Sequence, residues 1–566
     1  MSALGLQATG DALAAIDRHV PTLVSDRVAS RLAAQDPTLW GPAAEQEASK
    51  RLGWMDPFEE SRALVPQIQQ LRAELAAEGI NRVVLAGMGG SSLAPEVIAA
   101  TEGHPLTVLD STDPEMVGNV LAAGVTDTVL VMSSKSGSTV ETDSQRRVFE
   151  QAFTDAGLEP GSRIVVVTDP GSPLEQLARA AGYRRVFTAD PSVGGRYSAL
   201  TAFGLVPTGL AGVDLTALLD DAEETREVLS TDDTDNPGLQ LGAAMAGTEP
   251  LRNKLIFSDE ASGMVGFGSW AEQLIAESTG KEGTGVLPVV VDAGDPETVS
   301  DAGDLLQIRL VADPEDREEP FDPTGGAAGG PAAGSPHALE VYGSLGSQLI
   351  LWEFATAVAG RILGINPFDQ PDVEAAKTAA RGLLDATDGE SGTAEPGTVI
   401  GAVQITGPAA VVQAGGGGDL TAVLDAVARL VPAHGYLAVQ AYLDRLGYTE
   451  LEVLRDALAA RSGRPVTFGW GPRFLHSTGQ YHKGGAPEGV FLQITADSDL
   501  DLDIPGRPFT FGELLTAQAA GDASVLRDTG RPVIRLHLTD RSAGVGALLH
   551  AGHGANGTDG ANGTDA

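Results

Sequence analysis

The spacing of apolar and polar positions changes several times along the chain, and each change marks an element. From Leu13 to Val28 and again from Ala63 to Leu75 apolar residues recur at helical spacing with no chemistry-bearing pattern, so residues 1–75 read as a helical N-terminal extension. From Arg82 the pattern shifts to short β-branched runs separated by helix-length segments: RVVLAG, LTVLD, TVLVMS, RIVVVTD and YRRVFTA. Strands alternating with helices predict a parallel, doubly wound α/β sheet over residues 76–235. A second α/β unit is predicted over 236–545. Its candidate strands lie in RNKLIFS, GVLPVVVDA, LLQIRLVA, TVIGAVQI, GYLAVQAYL, GVFLQIT and PVIRLHL, and its helices over 343–363 and 372–384. Its insertions include DPTGGAAGGPAAGSP at 322–336, a composition that predicts a mobile loop. Residues 546–566 end in the near-repeat ANGTDGANGTDA and are expected to be disordered.

Composition narrows the function classes. With no cysteine, disulfides, thiolate metal sites and cysteine nucleophiles are excluded. A net charge of -40, from 77 acidic and 37 basic residues, argues against nucleic acid or an anionic membrane as partner. The N-terminus lacks a basic segment followed by an apolar one, and the longest apolar run, Leu349 to Ile365, is interrupted by Glu353 and Arg361. The expectation is a cytoplasmic protein without a membrane span. An anionic substrate would be repelled by such a chain unless cations gather at its site. Only six lysines are present, and four of them (Lys135, Lys281, Lys377 and Lys483) fall in the motifs below.

Two glycine- and serine-rich loops follow the first and third candidate strands. VVLAGMGGSSLAP, 83–95, reads as strand, glycine loop and helix, and presents backbone N–H groups, around Gly90 and Ser91, to an anion. A dinucleotide fold uses the same device, and Asp110 stands where a ribose-binding carboxylate would; yet Ser91 and Ser92 follow where that fingerprint wants a third glycine. VLVMSSKSGSTVET, 129–142, gathers Ser133, Ser134, Ser136, Ser138, Thr139 and Lys135 around Gly137 at a helix start, a set suited to three phosphate oxygens. In a strand order 2-1-3-4-5 the two loops face one crevice, which favours a monophosphate over a dinucleotide.

GMGGSS together with SSKSGST resembles a sugar isomerase (SIS) domain, and four further segments are similar to phosphoglucose isomerases. VGGRYSALTAFGL at 193–205 resembles a family signature containing an arginine, here Arg196. LGINPFDQPDVEAAK at 363–377 resembles a second, with Gln370 and Lys377. AESTGKEG at 276–283 resembles the segment of the isomerisation base, which falls on Glu277, and LHSTGQYHKGG at 475–485 that of the ring-opening histidine, which falls on His476. The motif order departs from the family's short bacterial members, in which the histidine segment precedes NPFDQ; a rearranged second domain, as in fusions of transaldolase with this isomerase, would explain it.

The resemblance implies two SIS-type, flavodoxin-like domains with the site between them, a homodimer, and reversible conversion of glucose 6-phosphate and fructose 6-phosphate with no cofactor; no cluster of histidines and carboxylates has metal-ligand spacing, so no catalytic metal is expected. The resemblance places the phosphate on Ser134, Lys135, Ser136 and Thr139, with Gly90, Ser91 and Gln370 also binding substrate. A carboxylate, Glu277, would shuttle the proton, Arg196 would stabilise the enediolate, and His476 and Lys377 would open the ring, with His482 and Lys483 as neighbours. Lys135, Arg196, Lys281, Lys377 and Lys483 would form a cationic well in the acidic chain. Alternatives remain open at this stage: an isomerase also acting on mannose 6-phosphate, a non-catalytic sensor of sugar phosphates, an NAD-dependent oxidoreductase, and association with a separate transaldolase.

Overall fold

A computed structural model describes residues 4–313, 336–385 and 397–553. Strand β1 (Gly5–Ala8) comes first, and β2 (Arg82–Gly87), β3 (Thr107–Leu109), β4 (Thr128–Ser133), β5 (Ile164–Thr168) and β6 (Arg185–Thr188) build a wholly parallel sheet in the order β3-β2-β4-β5-β6. This is the order 2-1-3-4-5 expected from the sequence. Its apolar runs are continuous because both faces are covered. Val83, Leu85, Val129, Val131, Val165 and Val167 pack into one cluster with residues of helices Phe58–Ala77 and Ala202–Ala211. Val84, Ala86, Leu130, Met132, Ile164 and Val166 pack on the opposite face, against helices Pro114–Ala122 and Val140–Asp155.

The segment 236–545, expected to be one α/β unit, contains two sheets. β7 (Lys254–Glu260), β8 (Leu287–Val291), β9 (Leu305–Val311) and β10 (Ala338–Tyr342) form the order β1-β10-β9-β7-β8, with only β1 antiparallel. β11 (Gly397–Ile400), β12 (Val403–Thr406), β13 (Tyr436–Ala441), β14 (Val466–Trp470), β15 (Gly489–Ala496) and β16 (Val533–Leu538) form β11-β12-β16-β15-β13-β14. The split has a packing reason: Val439, Leu492, Ile534 and Leu536 close a core of their own with the surrounding helices, while Leu255, Phe257, Leu306 and Ile308 share the core of the first sheet.

Other expectations are corrected locally. The N-terminal extension is not purely helical, because β1 pairs with β10 and helix Gly10–Ser25 follows it directly. TVIGAVQI is a hairpin rather than one strand, turning at Gly401, whose φ is +55°. Helix Arg541–His553 runs into the expected tail because Val545, Leu548 and Ala551, three residues apart, enter the third core. The glycine-rich stretch up to residue 335, and residues 554–566 of the tail, lie outside the described residues. Among the described residues, no helix is long and apolar enough to cross a membrane.

Ion pairs seam the third sheet's unit to the other two. Arg445 reaches Asp110 (2.9 Å) and Glu96 (2.8 Å) of the first unit, and Arg473 pairs with the same two carboxylates. Arg541 meets Asp113 at 2.9 Å and Glu115 at 3.0 Å. On the second unit, Arg455 meets Glu297 at 2.8 Å, and Arg464 pairs with Asp304.

Candidate active site

Register brings the glycine-rich and serine-rich loops together. Gly87 at the end of β2 lies opposite Ser133 at the end of β4, so the glycine loop and the serine loop leave adjacent strand ends. Gly89–Ser91 forms a buried 3-10 turn. Gly90 permits a backbone approach that no other residue would: a Cβ there would lie 2.0 Å from the carbonyl oxygen of Gly195. A Cβ on Gly89, whose φ is +55°, would lie 2.7 Å from the carbonyl oxygen of His476 and 2.8 Å from Gln273 Nε2. Three segments distant in sequence therefore converge on one glycine pair.

The segment after Gly195 carries Arg196, itself buried. Its neighbour Tyr197 is fixed by stacking on Trp54 of the N-terminal extension, ring centroids 5.0 Å apart, and by a 3.2 Å contact between its hydroxyl and Ser278. All three nitrogens of the Arg196 guanidinium are engaged. Nε donates to Ser278 (2.8 Å), Nη1 to Glu277 Oε1 (3.1 Å), and Nη2 to the carbonyls of Pro367 (2.7 Å) and Asp369 (3.0 Å). Helix Phe267–Thr279 places Gln273 and Glu277 one turn apart on one face. Gln273 Nε2 donates to Glu277 Oε2 at 3.1 Å and to the His476 carbonyl at 2.7 Å. Glu277, 7% exposed, thus has a cation at one oxygen and an amide at the other.

Lys281 completes this side. Its ammonium donates to the carbonyls of Asn366 (2.8 Å) and Asp369 (2.7 Å) and to the Asp369 carboxylate (2.7 Å), so two cations grip the NPFDQ turn. Burial, assisted by the Arg196 charge, pushes Lys281 down to about 8.

In the serine loop, Ser134 Oγ lies 3.2 Å from Thr139 Oγ1 and accepts from the Gly137 backbone N–H at 3.2 Å. Thr139 precedes helix Val140–Asp155 without capping it through its side chain, which leaves N–H groups of the first turn for an anion. Ser136 is exposed, and Lys135 pairs with Asp169 at 2.8 Å.

His476 arrives from the third sheet's unit, on a 3-10 turn after β14. Its Nε2 contacts Glu141 Oε1 at 3.0 Å, and the same oxygen accepts from Gln518 Nε2 at 2.7 Å. Burial favours protonated Glu141, but the charges of His476 and Lys377 outweigh it and hold the carboxyl below its ordinary value. Lys377, on helix Val373–Asp385, thereby belongs to the same neighbourhood.

The structure gathers Gly90, Ser91, Arg196, Glu277 and His476, with Lys377 bearing on the histidine's partner. Gln370 is exposed on the NPFDQ turn. Two expected neighbours lie elsewhere. Lys483 is buried against Asp522 at 2.6 Å, and His482 is a core residue packed among Tyr436, Phe474 and Phe491, where burial holds its imidazole well below the usual value. The cationic well is smaller than expected, since Lys135, Arg196, Lys281 and Lys483 each face a carboxylate. Asp110, which a dinucleotide site would need, is buried in the ion pairs with Arg445 and Arg473. Sequence reasoning missed Glu141, Gln273 and Gln518. The first two were within reach: Glu141 lies in the quoted SSKSGSTVET segment, and Gln273 one helical turn before Glu277.

Comparison with known proteins places this geometry in a family. The phosphoglucose isomerase family profile matches residues 66–242. A Haloarcula marismortui protein named "Probable glucose-6-phosphate isomerase" is 32% identical over 346 residues, covering 54% of this chain and 79% of that protein. The glucose-6-phosphate isomerase of a Cyanothece species is 29% identical, covering 53% of this chain and 65% of that protein. A crystal structure of a hypothetical protein from Thermus thermophilus is 26% identical, with a TM-score of 0.56, over 67% of this chain and all of the other. This relationship makes the chain a member of the phosphoglucose isomerase family.

Proposed function

We propose that this chain interconverts glucose 6-phosphate and fructose 6-phosphate by opening the sugar ring and moving one proton between C1 and C2 through a cis-enediol. The observation that supports this most is the clamp on Glu277. A carboxylate held by Arg196 at one oxygen and Gln273 at the other has a fixed direction, so it can take a proton from C2 and return it to C1 without reorienting. The enediolate formed between the two transfers carries a negative charge, which the immobile Arg196 stabilises more than it does the neutral sugar. In ring opening, one of His476 and Lys377 protonates the ring oxygen while the other takes the proton of the anomeric hydroxyl. The phosphate lies on the serine loop, Ser134 to Thr139, against the start of helix Val140–Asp155.

The test is a coupled assay of the purified, EDTA-treated protein with fructose 6-phosphate, reading glucose 6-phosphate through its dehydrogenase, with mannose 6-phosphate in parallel. Turnover of fructose 6-phosphate is expected. Glu277→Gln should lower kcat by about 10²–10⁴-fold with sugar-phosphate binding retained by calorimetry. A variant that still turns over removes Glu277 from the mechanism.

A further inference from the structure

The contact between His476 and Glu141 continues into a relay that crosses twice between the first and third units. Thr112 Oγ1, just beyond β3, donates to Gln518 Oε1 at 2.7 Å, and Gln518 Nε2 donates to Glu141 Oε1 at 2.7 Å. Gln518 lies on helix Phe511–Asp528 and is 5% exposed; Thr112 is fully buried. An amide can be turned end for end, but here both ends are specified. The carboxylate demands the NH₂ group, and the hydroxyl then has only the amide oxygen to meet.

We infer that Gln518 is a positioning residue for ring opening: it keeps Glu141 ionised and aimed, and so keeps a proton on Nε2 of His476, leaving Nδ1 as the atom that exchanges a proton with the sugar. This rests on the reading of His476 given above. Glu141 is 5% exposed, and a carboxyl that buried tends to hold its own proton unless donors compensate. Gln518 donates to Oε1, and an ionised Oε1 can only accept, so the His476 Nε2 in contact with the same oxygen is its second donor. With one removed, a protonated Glu141 donates to Nε2 instead, and the imidazole proton moves to Nδ1. His476 Nδ1 makes no hydrogen bond among the described residues, while the ring remains partly open to solvent, its side chain 15% exposed. The charges facing the pair are Lys377, from helix Val373–Asp385, and Glu277, through Gln273. Asp522, one turn beyond Gln518, is occupied by Lys483.

The test uses Gln518→Leu, which removes the donor with little change in size, and Thr112→Val, which frees the amide to turn. Imidazole nitrogen NMR of histidine-labelled protein reads the tautomer directly. The wild type should show His476 protonated at Nε2, and Gln518→Leu a population protonated only at Nδ1. The kinetic arm compares glucose 6-phosphate with erythrose 4-phosphate, whose phosphate occupies the hydroxyl that would close a ring. Gln518→Leu should lose at least tenfold in kcat on glucose 6-phosphate while exchanging the C2 proton of the acyclic sugar with deuterium at the wild-type rate. Thr112→Val should show the same split, smaller. An unchanged His476 tautomer in Gln518→Leu, or an equal loss on both sugars, would overturn the inference. Wild-type turnover of fructose 6-phosphate is the control that separates failure of this inference from failure of the underlying function.

Discussion

Lys281 shows how one side chain ties pH to geometry. Its value of about 8 lies below the ordinary 10.5, so on titration the folded chain releases this proton before the unfolded chain does. Between about pH 8 and 10.5 the unfolded chain therefore binds more protons, and the lysine's own contribution to stability rises with pH. The ammonium that grips the NPFDQ turn is lost over the same range. We expect kcat/KM to fall with an apparent pKa near 8 while the melting temperature takes no loss from this group; a pH series of both quantities measures it. A limb unchanged in Lys281→Met would assign the titration to another residue. Lys281, Arg196 and Glu277 were legible in the sequence because they sit in short motifs with distinctive neighbours. Glu141 lies in an equally distinctive segment but did not stand out there, because an acidic residue in the first turn of a helix is what the helix dipole alone would favour. Gln518 left no signal at all: its meaning depends on a partner 377 positions away.

At the level of elements, the tightest constraint is the contact between the glycine loop and the Gly195–Tyr197 turn. A methyl on Gly90 would stand 2.0 Å from one backbone atom and 2.3 Å from the next, and neither can move without carrying Arg196 with it. Gly90→Ala should cost about 1–3 kcal/mol of stability, as overpacking does, and should lower kcat more than it raises KM. Thermal melting with steady-state kinetics checks both, and a stable, fully active variant would refute the contact. The strands that support these loops could be read because burial on two faces makes them continuously apolar. β1 and β10 could not: GLQA and ALEVY carry no such run, and their pairing is with each other across more than three hundred residues. The hairpin in TVIGAVQI escaped notice because a single glycine in an apolar run also suits a strand bulge.

Across the whole molecule, the cations of the third unit meet acids of the other two, which explains how a chain of net charge -40 closes its interfaces. The acids Asp110, Asp113, Glu297 and Asp304 of these pairs are buried, so removing an arginine weakens the compensation of a buried charge. Arg473→Ala leaves Asp110, fully buried, with Arg445 as its remaining partner, and should cost about 1.5–3 kcal/mol in denaturant unfolding, the worth of a hydrogen bond to a charged group. Unchanged stability would mean that the seam does not hold the units together. The motif order noted in the sequence acquires its structural explanation here, since the histidine segment belongs to a third sheet and not to an insertion in the second. The sequence could not reveal that division, because four parallel strands with covering helices read alike in either unit.

The seam also carries a consequence for how the protein is made. The first two sheets share one apolar core that ends at Phe368, but the other face of each is completed by the third unit, by Ile504, Phe511 and Leu514 on the first and Tyr436, Tyr481 and Phe491 on the second; His476 and Gln518 likewise arrive more than a hundred residues after helix Leu345–Leu363. At the translation rates of a cell, the growing chain spends several seconds with one face of each of these sheets incompletely covered and no histidine beside Glu141. During that interval its acidic seam is bare to solvent and its glycine loop lacks the backbone that will cover it. Completing the cover of both sheets and bringing His476 to Glu141 are then a single event, the docking of the last part to arrive.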